Sequence, residues 1–221
     1  RLSLSGDDKS KYVGESKDWD KAEETLRKVL TKSGVKFREE RDEAAFYGPK
    51  LDVQAINVFG KEDSISTIQI DFNLSERFDL EYIDSEGKKQ RPFVIHRALI
   101  GSFERFFAFL IEFYAGKFPL WIAPVQIKVL SISDKHKEYA QEIYKKLLAE
   151  DFRVELDIDD ESLGKKIRNA KMEKVPYILV LGDKEVEENK VTVENRERGN
   201  EGAFSLDEFI EKINREIKSK S

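Results

Sequence analysis

The sequence predicts an α/β protein (α+β overall) built of two unlike blocks. The first is an antiparallel sheet backed by helices, the second a compact α/β domain with a mixed, largely parallel sheet. Three observations carry this. Residues up to 118 show alternating strand patterns joined by short turns, which suit antiparallel pairing. Residues from 125 onward alternate strand-length and helix-length apolar patterns, the signature of crossover connections. Between them, Phe118-Pro119-Leu120-Trp121-Ile122-Ala123-Pro124 breaks both periods, because proline favours extended backbone at and before itself. The expected domains are therefore 1–118 and 125–221, with 119–124 as a linker.

Taken in order, Arg1–Gly14 is polar and expected to be extended or loose. Asp18 can cap a helix from Trp19, with Ala22, Leu26, Val29 and Leu30 on one face and Gly34 past its end. Leu51, Val53 and Ala55 alternate with Asp52 and Gln54, and Ile68, Ile70 and Phe72 with Gln69 and Asp71, each the period of a strand. Asp84-Ser85-Glu86-Gly87 reads as a hairpin turn between Leu80–Ile83 and Lys89–Arg91. Pro92–Ile95 leads through a Gly101-Ser102 turn into a helix from Phe103 to Ala115.

In the second block Val125–Ile132 reads as a buried strand. Ser133 or Asp134 caps a helix carrying Tyr139, Ala140, Ile143, Tyr144, Leu147 and Leu148. Phe152–Ile158 alternates as a strand, a helix runs from Ser162 to Lys174, and Tyr177–Leu181 and Lys190–Val193 are strands. The last helix opens on Ser205-Leu206-Asp207-Glu208, a capping box, with Phe204 and Phe209 as a hydrophobic staple.

Composition narrows the function. With 39 Lys and Arg against 44 Asp and Glu the formal charge is −5, which argues against a generally cationic nucleic-acid coat but leaves room for a local basic face. The helix from Ser162 concentrates Lys165, Lys166, Arg168, Lys171 and Lys174. Lys165 and Arg168, three apart, share a face that could meet RNA phosphates; an ordinary solvated face is the plainer reading. Without cysteine, no disulfide or thiolate metal site can form within the chain, and only His96 and His136 can offer imidazole. No apolar run approaches membrane-spanning length; the longest, Phe106–Phe113, already contains Glu112. With no signal-like apolar stretch at the start, a cytoplasmic protein with no membrane partner is expected.

The most informative stretch is Ile95–Phe106. It places His96 near the end of a strand and Arg105 in the first turn of a helix rich in phenylalanine. A cation there opposes the helix dipole, and a guanidinium among Phe103, Phe106, Phe107 and Phe109 calls for an anion. From the residues alone, that anion is a ligand phosphate or a protein carboxylate such as Glu104, and His96 is a ligand or a satisfied core histidine.

Over nearly its whole length the chain resembles the C-terminal portion of threonyl-tRNA synthetase. The resemblance runs through Trp19-Asp20-Lys21-Ala22-Glu23, Phe46-Tyr47-Gly48-Pro49-Lys50, Thr67–Phe72, Ile95-His96-Arg97-Ala98, Gly101–Phe106, Tyr114–Gln126 and Val175–Glu187. It implies a class II synthetase that joins threonine to ATP, with magnesium accompanying the nucleotide, and passes the threonyl group to tRNA. Gly101–Arg105 resembles the third class II motif, whose arginine, here Arg105, lies against ATP. Tyr47 and Gln69 match threonine-pocket positions, Lys50 a position beside the ATP and carboxylate end, and Glu185 a base-reading position. In the family a zinc ion takes threonine's amino and hydroxyl groups; of its three protein ligands only His96 falls in this sequence.

The first two class II motifs, the other two zinc ligands and the editing region of the family lie upstream of the matched stretch. The resemblance therefore implies a part of a threonine–tRNA ligase, inactive by itself and homodimeric when complete. The competing expectation is a non-catalytic RNA-binding protein that kept the anticodon domain. Two departures stand out: Ser64-Ile65-Ser66, where many members carry Gln-Cys-Gly with the glutamine facing ATP, and Asp159-Asp160 with Glu194, in place of basic or amide anticodon contacts.

Overall fold

The computed structural model describes residues 1–220. They form two compact units that divide between Phe113 and Tyr114.

In the first unit, β1 (Leu2–Leu4), β2 (Glu39–Arg41), β3 (Lys50–Ile56), β4 (Glu62–Asp71) and β7 (Val94–Ala98) form one sheet in the order β2-β1-β3-β4-β7. Only β1 and β2 pair in parallel. β5 (Tyr82–Ile83) and β6 (Lys89–Gln90) make the expected separate hairpin, its turn closed by Asp84 Oδ1, which accepts from the amides of Glu86 and Lys88. The helices are α1 (Ser16–Ser33), the short α2 (Asn73–Arg77) and α3 (Phe103–Tyr114).

One face of the sheet packs on α1, joining Leu2, Leu4, Ile70 and Phe72 to Trp19, Ala22, Leu26 and Leu30. Several expectations shift here. Leu2–Leu4 is a fully buried strand, not a loose segment; three residues are too few to show a period, β2 and β3 pair with it on either side, and Leu2 and Leu4 are buried with the apolar face of α1. Helix α1 starts at Ser16 behind Glu15, which makes no side-chain cap, so Asp18 sits in the first turn. Val29 is exposed, because the stripe against the sheet is narrower than the apolar pattern. On β3 the pattern inverts: Asp52 is buried while Val53 is half exposed. No residue of α3 is buried.

The second unit consists of β8 (Ile127–Ser131), a single 3-10 turn (Asp134–His136), α4 (Lys137–Ala149), β9 (Val154–Asp157), α5 (Leu163–Met172), β10 (Tyr177–Leu181), α6 (Asp183–Glu188), β11 (Val191–Asn195), β12 (Gly199–Phe204) and α7 (Leu206–Ser219). Its sheet runs β12-β11-β10-β8-β9. β9, β8 and β10 are parallel, whereas β11 and β12 add antiparallel ladders, so the sheet is mixed, with its parallel part confined to three strands. α6 and β12 are additions to the expected order. Gly199-Asn200-Glu201-Gly202-Ala203-Phe204 has little strand character of its own; the turn before it is held by Asn195 Oδ1, which accepts from the amides of Glu197 and Arg198. The capping box at Ser205 and Glu208 forms as expected.

The expected linker 119–124 is tied into the second unit. Leu120 lies in its core with Ile127, Leu179 and Phe209, and Arg153 donates to the carbonyls of Leu120, Trp121 and Ala123. The division of the chain accordingly falls between Phe113 and Tyr114, a few residues ahead of 118.

Candidate functional site

The face of the first sheet away from α1 is polar and carries Lys50, Asp52, Thr67, Gln69, Asp71 and His96. Register lines up Lys50 with Gln69 and Gln69 with His96, so three strands present one row of these side chains. Gly48 makes the end of that row possible. A Cβ there would stand 1.7 Å from the carbonyl oxygen of Ile70, so only glycine lets residues 47–49 lie against β4. The amides of Ile70 and Phe72 then donate to the carbonyls of Pro49 and Tyr47, which seats Tyr47 beside Gln69. The Tyr47 hydroxyl donates to Gln69 Oε1 at 3.1 Å, and the Tyr47 ring stands edge-on to His96 at 6.5 Å. Gln69 is buried, and its Nε2 has no hydrogen-bond partner. A buried donor without an acceptor is costly, and ligand sites are where such donors persist.

Two carboxylates anchor the row. Asp71 Oδ2 lies 2.8 Å from His96 Nε2, while Oδ1 accepts from the amides of Asn73 and Leu74. Burial pushes the Asp71 carboxyl up, but these donors outweigh it and hold it below the usual range. Asp52 accepts from Thr67 at 2.7 Å and pairs with Lys50 at 3.0 Å and Arg1 at 3.2 Å. Burial raises that carboxyl too, and the hydrogen bonds from Thr67, Lys50 and Arg1 again bring it below the usual value. In the sequence, Asp52 and Asp71 read as the polar half of a strand period, and Thr67 and Asp71 lie in the Thr67–Phe72 segment of the resemblance without a role of their own. Asp71 carried one further signal, standing just before a short helix whose amides an aspartate can accept.

Arg105 lies elsewhere on the unit. With Asn57, Phe59, Ser64, Ser102 and Glu112 it lines a cleft of about 220 Å³ between α3 and the β3–β4 end of the sheet. Gly101, at φ +64°, supplies the left-handed turn into α3. Arg105 is exposed rather than enclosed by phenylalanines, and among the described residues it has no ion pair, with Glu104 or any other acid. Ser64, at the departure from the family pattern, accepts from Gln54 Nε2 at 2.7 Å.

Among the described residues no three His, Cys, Asp or Glu side chains gather as a metal site. His96 fits the role of a single ligand: one ring nitrogen is engaged by Asp71, the support that metal-bound histidines commonly have. His136 does not fit, being buried with both ring nitrogens in contact, at Ser133 and Asp183.

In the second unit Glu185 is a cap. Its carboxylate accepts from the Gly182 amide at 2.9 Å and from the Thr192 hydroxyl at 2.7 Å. Burial raises this carboxyl, but the bonds from Thr192 and Gly182 bring it below the usual value. The basic helix divides. Lys165 is exposed and pairs with Glu161 at 2.5 Å; Arg168 is exposed and, among the described residues, unpaired. Lys166 is fully buried, donating to the carbonyls of Ser131 and Asp157. Lys171 is paired with Glu194 at 2.5 Å, so the Glu194 charge of that departure is neutralised within the chain. Lys174 donates to the Ala115 carbonyl.

Comparisons with known proteins place the chain among relatives. Residues 5–114 match the "tRNA synthetase class II core domain (G, H, P, S and T)", and residues 121–216 the "Anticodon binding domain". The threonine–tRNA ligase of Clostridium botulinum is 50% identical over 210 residues, 95% of this chain and 33% of that protein. That of Clostridium perfringens is 51% identical over 207 residues, 94% and 32% respectively. The chain thus spans about a third of the length of the curated relatives it matches. Among solved structures, the RNA binding domain of threonyl-tRNA synthetase from Cryptosporidium parvum superimposes with a TM-score of 0.85 at 36% identity, over 97% of this chain and 54% of that one.

Proposed function

The chain belongs to the threonyl-tRNA synthetase family of class II aminoacyl-tRNA synthetases, and we propose that it forms part of a threonine–tRNA ligase. The single observation that carries this is the row Lys50–Gln69–His96 with a buried amide nitrogen, unpartnered, at its centre. Gln69 Nε2 offers a donor to an oxygen of threonine, held in place because Tyr47 occupies the other end of the amide. A site built to pair a hydroxyl rejects an apolar isostere strongly. Lys50, steadied by Asp52, puts a cation beside the threonine carboxylate and the nucleotide. Arg105 keeps a free guanidinium at the cleft, able to pair with phosphate and stack on a base; ATP enters with magnesium as substrate.

His96 would hold zinc together with two ligands from outside this sequence. A zinc ion held there would supply Lewis acidity for recognising threonine. The reaction is in-line displacement at the α-phosphate by the threonine carboxylate, pyrophosphate leaving, followed by acyl transfer to the tRNA 3′ end. The chain's own contribution is positioning and charge. The second unit would read the anticodon through the Glu185 carboxylate, whose remaining lone pairs accept from a base edge, with Lys165 and Arg168 on the phosphates. The complete enzyme would be a cytoplasmic homodimer; among the described residues no helix is long and apolar enough to cross a membrane.

The test is threonine-dependent ATP–pyrophosphate exchange in an enzyme that joins this chain to its upstream sequence. Gln69→Leu should lower exchange on the order of 10²–10³-fold, the usual cost of one positioned donor. Exchange that is unchanged would remove Gln69 from the pocket. Exchange absent even in the unaltered protein would favour the non-catalytic RNA-binding reading.

A further inference from the structure

We infer that Asp71 is a positioning residue that sets the tautomer of His96, placing the proton on Nε2 and the lone pair on Nδ1. The inference deepens the proposed zinc-ligand role of His96 and rests on that reading only for its purpose, not for its geometry.

The Asp71 carboxylate has little freedom. It is 3% exposed. Its Oδ1 accepts from two successive amides at the start of α2, Asn73 at 2.8 Å and Leu74 at 3.0 Å, which fixes the plane of the group. Its Oδ2 is left aimed at β7, where His96 Nε2 stands 2.8 Å away. An ionised carboxylate only accepts hydrogen bonds. At this distance Nε2 must therefore be the donor, and on a neutral ring the proton cannot also be on Nδ1.

Nothing else in the surroundings competes for the choice. Among the described residues Nδ1 of His96 has no hydrogen-bond partner, and Tyr47 meets the ring through an edge-on contact, its hydroxyl being used on Gln69. Gln69, the register partner of His96, offers only its unpaired Nε2 donor. A histidine free to choose would spend part of its time with N–H where a metal needs a lone pair. Asp71 removes that state before any ion arrives, and so acts on the site through His96 without touching substrate.

The tautomer is measurable in the 221-residue chain itself, with no metal present. Long-range proton–nitrogen NMR of the imidazole rings near pH 8, where histidine is largely neutral, separates protonated from bare ring nitrogens. His136→Gln assigns the only other histidine. The expected result is a protonated Nε2 and a bare Nδ1 for His96. A protonated Nδ1, or an even mixture, overturns the inference, and this measurement needs no variant at Asp71.

Asp71→Asn adds an inversion. The amide oxygen can keep the α2 amides while its NH₂ turns to His96, making Nε2 an acceptor and moving the proton to Nδ1. A folded variant with the unaltered tautomer counts against the inference. In the longer enzyme the same variant should bind zinc roughly 10–100-fold more weakly by chelator competition, the usual cost of losing such a partner. Should the unaltered chain show the Nε2–H ring while the longer enzyme holds no zinc, the role of Asp71 stands and the metal reading falls.

Discussion

Thr192 and Glu185 are joined by a 2.7 Å hydrogen bond from the threonine hydroxyl to a carboxylate oxygen, across the turn between α6 and β11. The second oxygen closes the start of α6 on the Gly182 amide. Glu185 is therefore a structural cap as well as a candidate for reading a base, and the two roles respond differently to substitution.

Glu185→Ala should destabilise the second unit by about 1 kcal/mol, the usual worth of a cap, and lower its thermal midpoint by roughly 4–8 °C. Thr192→Val leaves the charge in place but frees one oxygen. It should cost less stability, and it should weaken discrimination between cognate and non-cognate tRNA. Calorimetry and paired tRNA titrations check this; equal discrimination in both variants and the parent would leave Glu185 as a cap alone.

Asp52 gives the first unit an acid limit. Its folded pKa lies below the ordinary value near 3.8, so the unfolded state binds protons more readily as the pH falls. The stability it contributes is complete above that unfolded value and is lost as the pH drops through the folded one. Urea midpoints followed on Trp19, in a Trp121→Phe background, should fall steeply below about pH 4. Asp52→Asn should be less stable at pH 7 by about 1–3 kcal/mol and show a flatter acid limb. An unchanged limb would move the acid sensitivity to other carboxylates.

His96 alone should not hold zinc in this chain. A tetrahedral ion needs more protein ligands than one imidazole, and no cluster of three ligand side chains exists among the described residues. Metal analysis after dialysis should give well under one equivalent, and the chain should show no threonine-dependent pyrophosphate exchange. One tightly held zinc per chain would require partners for His96 that the geometry lacks.

The basic helix should contribute through Arg168 more than Lys165, because Lys165 is already paired with Glu161 and Arg168 is not. Arg168→Glu in a protein spanning Tyr114–Ser221 should weaken tRNA binding and flatten its salt slope by about 0.7–0.9 per lost phosphate contact; Lys165→Glu should do less. Starting that protein at Pro124 removes buried Leu120 and three acceptors of Arg153, and should cost about 2–5 kcal/mol of stability. Equal salt slopes in both charge variants would remove α5 as the RNA-facing element.

Much of the architecture was legible in residue order. The alternation of β4, the apolar runs of β8 and β10, the helices α3 and α7, the hairpin at Asp84–Gly87 and the cap at Ser205 are local patterns, each decided within a few residues. Tyr47, Lys50, Gln69, His96 and Arg105 were named through a resemblance carried by residues in chain order; the fold sets Lys50, Gln69 and His96 in register with Tyr47 beside them, and leaves Arg105 at a separate cleft. What the order of residues did not contain was partnership. That Leu2–Leu4 is a buried strand depends on β2 and β3, which pair with it, and on α1, against which its leucines pack. That Lys166 is buried while Arg168 stands free depends on how α5 lies against β8 and β9. Gly48 reads as an ordinary turn residue until Ile70 is brought against it. Asp71 and His96, twenty-five residues apart, become a pair only through the register of β4 on β7. Periodicity is a property of neighbours in sequence, whereas the satisfaction of a buried polar group is settled by whichever distant strand the tertiary fold lays beside it.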